Sequence, residues 1–170
     1  MDLKAKVRSI EGFPQEGVTF RDITTLIGDG EAYRYVVDAF AEKIEPLDVD
    51  AILVLDARGF LVGPPVAYKL RKGIVPVRKK GKLPAETYQV TFDLEYGSDA
   101  FEIHKDALKP GMKVAILDDL LATGGSAGAA CRLAEMAGAQ VVFVGFLIEL
   151  SALKGREKLE GYDVFSLITY

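Results

Sequence analysis

Two adjacent carboxylates, Asp118 and Asp119, stand directly after the apolar run 114–117, and a turn of small residues, Ala122-Thr123-Gly124-Gly125-Ser126, follows them. A helical pattern then reaches Ala137, Gly138 breaks it, and a second apolar run covers 141–147. That order reads strand, loop, helix, strand, and in such a unit a ligand sits just past the carboxyl end of the first strand. Glycines let backbone N–H groups turn inward, Thr123 and Ser126 add hydroxyls, and the helix start adds partial positive charge, so the turn suits a phosphate. The carboxylates would repel a phosphate aimed at them, but they suit the vicinal hydroxyls of a ribose. The chemistry described is that of a sugar phosphate. Each piece alone has a plainer reading: a steric glycine pair, Ser126 as a helix N-cap, the aspartates as a solvated strand end. A Walker A loop is excluded, because no Gly-Lys-Ser/Thr follows the glycines.

Two further clusters follow strand-like runs. The fully apolar run 51–55 leads into Asp56-Ala57-Arg58-Gly59-Phe60 and then a helix predicted over about 64–71. Arg58 would aim a planar cation toward the same crevice as Asp118 and Asp119, unless it simply pairs with Asp56. The run 74–77 ends in Arg78, Lys79, Lys80 and Lys82. A charge run is usually a solvated face. Here it too follows a strand, so three strand ends bring anion-seeking groups together, and a diphosphate carries enough charge to explain the convergence.

The remaining chain positions these groups. Residues 1–12 show short helical spacing through Leu3, Val7 and Ile10. Over 13–24, Pro14 and Gly17 predict an irregular loop carrying Phe13, Phe20 and Arg21, either a surface loop or a hood over a flat heterocycle. Apolar residues at 33, 36, 37, 40, 41 and 44 predict an amphipathic helix over 32–44. Residues 81–103 read as a long hairpin, with a strand over 88–95, the turn Tyr96-Gly97-Ser98-Asp99 and a return over 100–103. Such an insertion acts as a lid or a dimer arm. Residues 151–159 form a short charged helix or loop, and 164–168 a last strand.

Composition narrows the class. A chain of 170 residues, 49% hydrophobic and 27% charged, is expected to be one soluble globular domain. The single Cys131 points to a reducing compartment, and the single His104 rules out a multi-histidine metal site. No long apolar stretch follows Met1, so neither a signal peptide nor a membrane span is expected. The net charge of -4 argues against nucleic-acid binding. A cytoplasmic location is expected.

Several strings together resemble the adenine phosphoribosyltransferases, within the type I phosphoribosyltransferase family. They are Phe13-Pro14 with Gly17-Val18 and Phe20-Arg21-Asp22-Ile23, Arg58-Gly59-Phe60, Arg78-Lys79 with Gly81-Lys82-Leu83-Pro84, Leu94-Glu95-Tyr96-Gly97, and the stretch from Asp118 to Gly125. The Leu-Lys-Gly-Arg-Glu-Lys-Leu stretch at 153–159 extends the similarity toward the end of the chain. Ser126 stands where the family usually has Thr, and Ala57 where many members have Ser.

The resemblance implies an α/β fold of type I: a mainly parallel twisted sheet flanked by helices, an N-terminal hood over 1–30 and a long flexible hairpin lid over 79–103. It implies the reaction of adenine with phosphoribosyl pyrophosphate to give AMP and diphosphate, with Mg²⁺ held mainly by substrate and water rather than by protein. Backbone N–H groups of Ala122, Thr123, Gly124, Gly125 and Ser126 would hold the 5′-phosphate, and Asp118 and Asp119 the ribose hydroxyls. Arg58, Lys79 and Lys82 would meet the diphosphate; Val18, Thr19, Phe20 and Arg21, with Leu150 opposite, would surround adenine. Glu95 on the lid would move the proton of the attacking ring nitrogen or stabilise developing charge. A homodimer is also implied. A transferase for another base and a metabolite-sensing regulator remain as alternatives.

Overall fold

The computed structural model describes residues 1–94 and 96–170; Glu95 lies outside the described residues. The amino-terminal segment departs from the sequence expectation. Only Lys4–Lys6 makes a 3-10 turn, and strands β1 (Arg8–Glu11) and β2 (Thr19–Asp22) then form a two-stranded antiparallel hairpin. Ile10 lies opposite Phe20. Pro14 and Gly17 do break the chain, but the break is confined to the connection, where Gly17 has φ +85°. The flanking residues satisfy their backbone groups by pairing with each other, which neither the helical nor the loop reading anticipated. Buried Leu3 and Val7 anchor the segment to the main core.

A single helical turn, α1 (Thr24–Ile27), leads to α2 (Gly30–Ile44). Asp29 caps α2 by accepting from the backbone N–H groups of Glu31 and Ala32 at 3.1 and 3.2 Å. The fully buried strand β3 (Ala51–Leu55) follows. Helix α3 (Gly59–Leu70) starts well before the residue 64 expected from its prolines. Pro65 has no N–H to give to the Leu61 carbonyl one turn back, and the Tyr33 hydroxyl of α2 donates to that carbonyl instead. A donor from another helix thus makes a proline tolerable inside α3.

The chain continues through β4 (Gly73–Lys79), β5 (Thr87–Asp93), β6 (Ser98–His104), β7 (Lys113–Leu121), α4 (Gly125–Met136), β8 (Gln140–Glu149) and β9 (Val164–Thr169). Ser98 and Asp99 belong to β6 rather than to the predicted turn, which closes instead where Leu94 N donates to Gly97 O at 3.0 Å. Between β8 and β9 lie two 3-10 turns, Ser151–Leu153 and Gly155–Leu159, where one charged helix or loop was expected.

The large sheet has strand order β5-β6-β4-β3-β7-β8-β9, with β4, β3, β7, β8 and β9 parallel and the β5–β6 hairpin antiparallel at one edge. This is the mainly parallel α/β sheet expected. The hairpin is annexed to it: Arg78 and Lys79 of β4 pair with Glu102 and Phe101 of β6. Helices α2 and α3 cover one face of the sheet and α4 the other, each over its own apolar cluster. From β3 the chain first adds β4 on one side, and later β7 on the other. The gap beyond the carboxyl ends of β3 and β7 is therefore the topological switch point, where an open α/β sheet leaves a crevice. Among the described residues no helix is long and apolar enough to cross a membrane.

Candidate active site

A cleft of about 570 Å³ opens at that switch point. Its walls come from three strand ends that are neighbours in the sheet: Asp56, Ala57 and Arg58 after β3, Lys79 and Lys82 at and after β4, and Asp118 to Gly124 at the end of β7. Ser126 and Ala127 of α4 close one side, and Phe92, Leu94, Asp99 and Phe101 of the hairpin close another. Nine of the expected substrate-contacting residues thus share one cavity: Arg58, Lys79, Lys82, Asp118, Asp119, Ala122, Thr123, Gly124 and Ser126. Gly125, between Gly124 and Ser126, is not itself in the cleft wall and starts α4.

The carboxylates are not on a solvated strand end. Strand β7 runs on to Leu121, so Asp118 and Asp119 are still within it, at 9% and 6% exposure. Successive residues of a strand face opposite sides, which lets the neighbours have different partners. Asp119 forms an ion pair with Arg58, Nε to Oδ2 2.7 Å. Asp118 instead accepts the backbone N–H of Asp119 at 2.8 Å, and its Oδ1 lies so close to Gly59 that a Cβ there would come within 2.9 Å of it. Burial, and then the neighbouring Asp119 carboxylate, push the Asp118 carboxyl well above its usual value. The alternative pairing of Arg58 with Asp56 is not observed. Asp56 meets Arg78 at 3.4 Å instead, and the distinction could not be read along the chain because β3 abuts β7 only in three dimensions.

The turn after β7 is shaped by its neighbours. Gly124 has φ +85°, a conformation that costs a residue with a Cβ, and a Cβ there would lie 2.4 Å from the Gly155 carbonyl oxygen. It occupies the N-cap position of α4 without any side-chain cap, so Ser126 is not the N-cap that the plainer reading allowed. Unsatisfied N–H groups of the first turn of α4 are therefore available to an anion. Lys79 reaches Asp99 across the cleft at 3.8 Å. Nothing in the spacing announced Asp99 or the aromatic pair Phe92 and Phe101, whose ring centroids are 5.0 Å apart.

The residues expected around a base lie beside this cleft rather than in its wall. Phe20 marks the junction, with the Arg58 guanidinium 5.3 Å from its ring centroid. Val18 is exposed in the hairpin connection, and Thr19 begins β2. Arg21 turns away, stacking on Tyr170 at 3.8 Å and donating to Ser9 Oγ at 2.5 Å. Leu150 follows the end of β8, its N–H donating to Leu121 O at 2.9 Å. Cys131 is fully buried, and burial drives its thiol up to about 12, away from the reactive thiolate. No cluster of three or more His, Cys, Asp or Glu side chains suited to a metal occurs among the described residues. The cleft's carboxylates, Asp118 and Asp119, suit a Mg²⁺ ion that arrives on a phosphate substrate and is coordinated mainly by substrate oxygens and water.

Comparison with known proteins agrees with this geometry. The family model for the phosphoribosyl transferase domain matches residues 27–169. An adenine phosphoribosyltransferase of Alkaliphilus oremlandii is 57% identical over 170 residues, all of this chain and 99% of that protein. The crystal structure of adenine phosphoribosyltransferase from Thermoanaerobacter pseudethanolicus superposes with TM-score 0.96 at 48% identity, over 99% of this chain and 98% of the other. That from Saccharomyces cerevisiae, complexed with an imino-altritol bisphosphate and adenine, gives 0.94 at 43% identity, over 98% and 96%. The chain belongs to the phosphoribosyl transferase family and, within it, to the adenine phosphoribosyltransferases.

Proposed function

We propose that this chain transfers the 5-phosphoribosyl group from phosphoribosyl pyrophosphate to adenine, giving AMP and diphosphate. The observation that carries the reading is the meeting, in one cleft, of an N–H-lined glycine turn, a buried aspartate pair and the cations Arg58, Lys79 and Lys82. The 5′-phosphate would sit on the turn formed by Ala122, Thr123, Gly124, Gly125 and Ser126, at the start of α4. Asp118 and Asp119 then address the ribose hydroxyls, and their negative field stabilises the sugar carbon as its bond to diphosphate lengthens. Arg58 meets Asp119 through Nε, and its terminal amino groups are the ones a diphosphate oxygen would meet, with Lys79 and Lys82 adding charge.

Adenine is placed between Val18, Thr19, Phe20 and Arg21 on the hood and Leu150 opposite, so that a ring nitrogen forms the new bond to the sugar carbon as diphosphate leaves. The proton of that nitrogen goes to Glu95 or to solvent. Mg²⁺ when bound would neutralise the diphosphate oxygens, held mainly by substrate and water. The 79–103 hairpin acts as the lid and excludes water from the cation-like sugar. The whole chain works as one domain in the cytoplasm. A homodimer is supported by the apolar outer side of α3, where Leu61 and Tyr68 are exposed.

The test is diphosphate release with phosphoribosyl pyrophosphate and Mg²⁺, with adenine, hypoxanthine, guanine, xanthine and orotate offered separately. Release with adenine alone is expected. Release only with another base would discard the assignment of the hood. Tight sugar-phosphate binding with no release from any base would leave a metabolite sensor.

A further inference from the structure

One ion pair near the site takes no part in the chemistry above. Glu149 is the last residue of β8, buried at 7% exposure and paired in the sheet with Leu121. Arg156 grips its carboxylate with two parallel bonds, Nε to Oε1 and Nη2 to Oε2, both 2.8 Å, and donates through Nη1 to Val164 O at 3.0 Å. A fork-on-fork contact of this kind fixes orientation as well as distance. The Arg156 hydrogen bonds hold the Glu149 carboxyl below its usual value, against the smaller opposing push of burial.

What hangs on the pair is more telling than the pair itself. On one side Glu149 is followed directly by Leu150, the residue assigned to face the base. On the other, Arg156 is preceded by Gly155, which lies against the phosphate turn. A Cβ on Gly155 would come within 2.5 Å of Ala122 O, and one on Gly124 within 2.4 Å of Gly155 O. Buried Leu159 pins the far end of the same 3-10 turn to the core under α4. The connection 150–159 thus touches the base side and the phosphate side of the site, and the ion pair closes it into a loop of fixed size.

We propose that Glu149 and Arg156 are positioning residues that hold the base-facing Leu150 in register with the phosphate turn at 122–126. The inference rests on the transferase reading above. Its consequence is specific. Each half-site stays intact without the pair, so each substrate binds nearly as before. The two are misaligned when bound together, so turnover suffers. Displacing reacting atoms by about 1 Å can cost on the order of a hundredfold.

The experiment compares the wild-type chain with Arg156→Ala, Arg156→Lys and Glu149→Gln, using kinetics with adenine and phosphoribosyl pyrophosphate and the stoichiometry of phosphoribosyl pyrophosphate bound per chain. For Arg156→Ala, kcat per binding-competent site is expected to fall about ten- to a hundredfold, while both KM values move less than about threefold. Lysine keeps the charge but lacks the fork, so Arg156→Lys should recover only part of the loss, with about a tenfold deficit remaining. A merely structural role would lower the stoichiometry and leave kcat per competent site unchanged. That result, or a loss confined to one KM, would overturn the proposal.

Amide exchange provides a readout that needs no turnover. In Arg156→Lys, exchange across 122–126 should quicken about tenfold, that being the loss of roughly 1.4 kcal/mol of local protection, while exchange in β3 stays unchanged. Equal exchange in both proteins would overturn the strut even if the wild-type chain proved inactive with adenine. That inactivity, by contrast, would overturn only the transferase reading.

Discussion

The phosphate side and the base side of this site are built in different ways. The phosphate side belongs to the seven-stranded sheet: Asp118 and Asp119 lie inside a nine-residue strand, and the turn after it is wedged against Gly155. The base side is a hairpin of two four-residue strands whose own apolar contact is the edge-to-face pair Phe13 and Phe20, with centroids 5.2 Å apart. Two strands alone are marginal in water. A cross-strand ion pair, Arg8 to Asp22 at 3.0 Å, adds to that contact, and the hairpin is tied down from outside by Arg8 donating to Thr24 Oγ1 at 3.3 Å and by Arg21 stacked on Tyr170. On the proposed function, the sheet-borne part would meet the charged ligand group, which must be held without reorganisation, and the tied-down hairpin would meet the flat neutral ring.

If that contrast is right, damage to the phosphate side should be severe and damage to the base side graded. The largest effect is expected from Gly124→Ala. It places a Cβ 2.4 Å from the Gly155 carbonyl in a backbone conformation with φ +85°, so the turn must rebuild. We expect kcat/KM for phosphoribosyl pyrophosphate to fall by about a hundredfold or more, as for other lost preorganised donors. A change under about threefold would show the phosphate side to be as adaptable as the base side.

Next comes Asp118→Asn. The folded protein raises the Asp118 carboxyl, so the stability it contributes is full below the ordinary value of 3.8 and is lost as pH rises through the raised folded value. The asparagine variant escapes that loss. Its melting temperature should exceed that of the wild type at pH 7, by about 2–4 °C for each kcal/mol relieved, and the gap should shrink toward pH 4. Turnover should drop about tenfold, the smaller end of a lost electrostatic contact. A variant less stable at pH 7 would mean that the aspartate pair is structural rather than held in readiness for a ligand.

The smallest effect is expected from Tyr170→Leu, which removes the ring beneath Arg21. That stack is worth roughly 0.5–1 kcal/mol, so KM for adenine should rise about threefold with KM for phosphoribosyl pyrophosphate unchanged. Equal changes in both would erase the distinction between the two sides. Among the described residues the Arg21 Nε is buried without a hydrogen-bond partner, so the aromatic contact and the bond to Ser9 Oγ together steady this arginine.

Much of the rigid side was legible along the chain and little of the adjustable side was. The order of apolar run, acidic pair, small-residue turn and helix announces a phosphate site because each piece is local: a strand, a turn and a helix start form from neighbours in sequence. The hairpin β1–β2 is not legible along the chain, where the spacing suggests a short helix followed by a loop. Its strands are short, and their pairing depends on residues on the far side of Pro14 and Gly17. Helix α3 begins at Gly59, earlier than the residue near 64 that the sequence suggests, and a hydroxyl from α2 satisfies the Leu61 carbonyl that Pro65 leaves unpaired.

The sequence by itself determined the chemistry on offer: the carboxylates, the glycine turn, the arginine and the lysines, each at the end of an apolar run of strand length. The tertiary structure decided who meets whom. Strand order places β3 between β4 and β7, so Arg58 finds Asp119 rather than Asp56, and three strand ends share one cleft. It also decided that Gly155 leans on the phosphate turn and that Arg156 clasps Glu149. Such contacts arise from packing between segments distant along the chain, and local propensity carries no record of them.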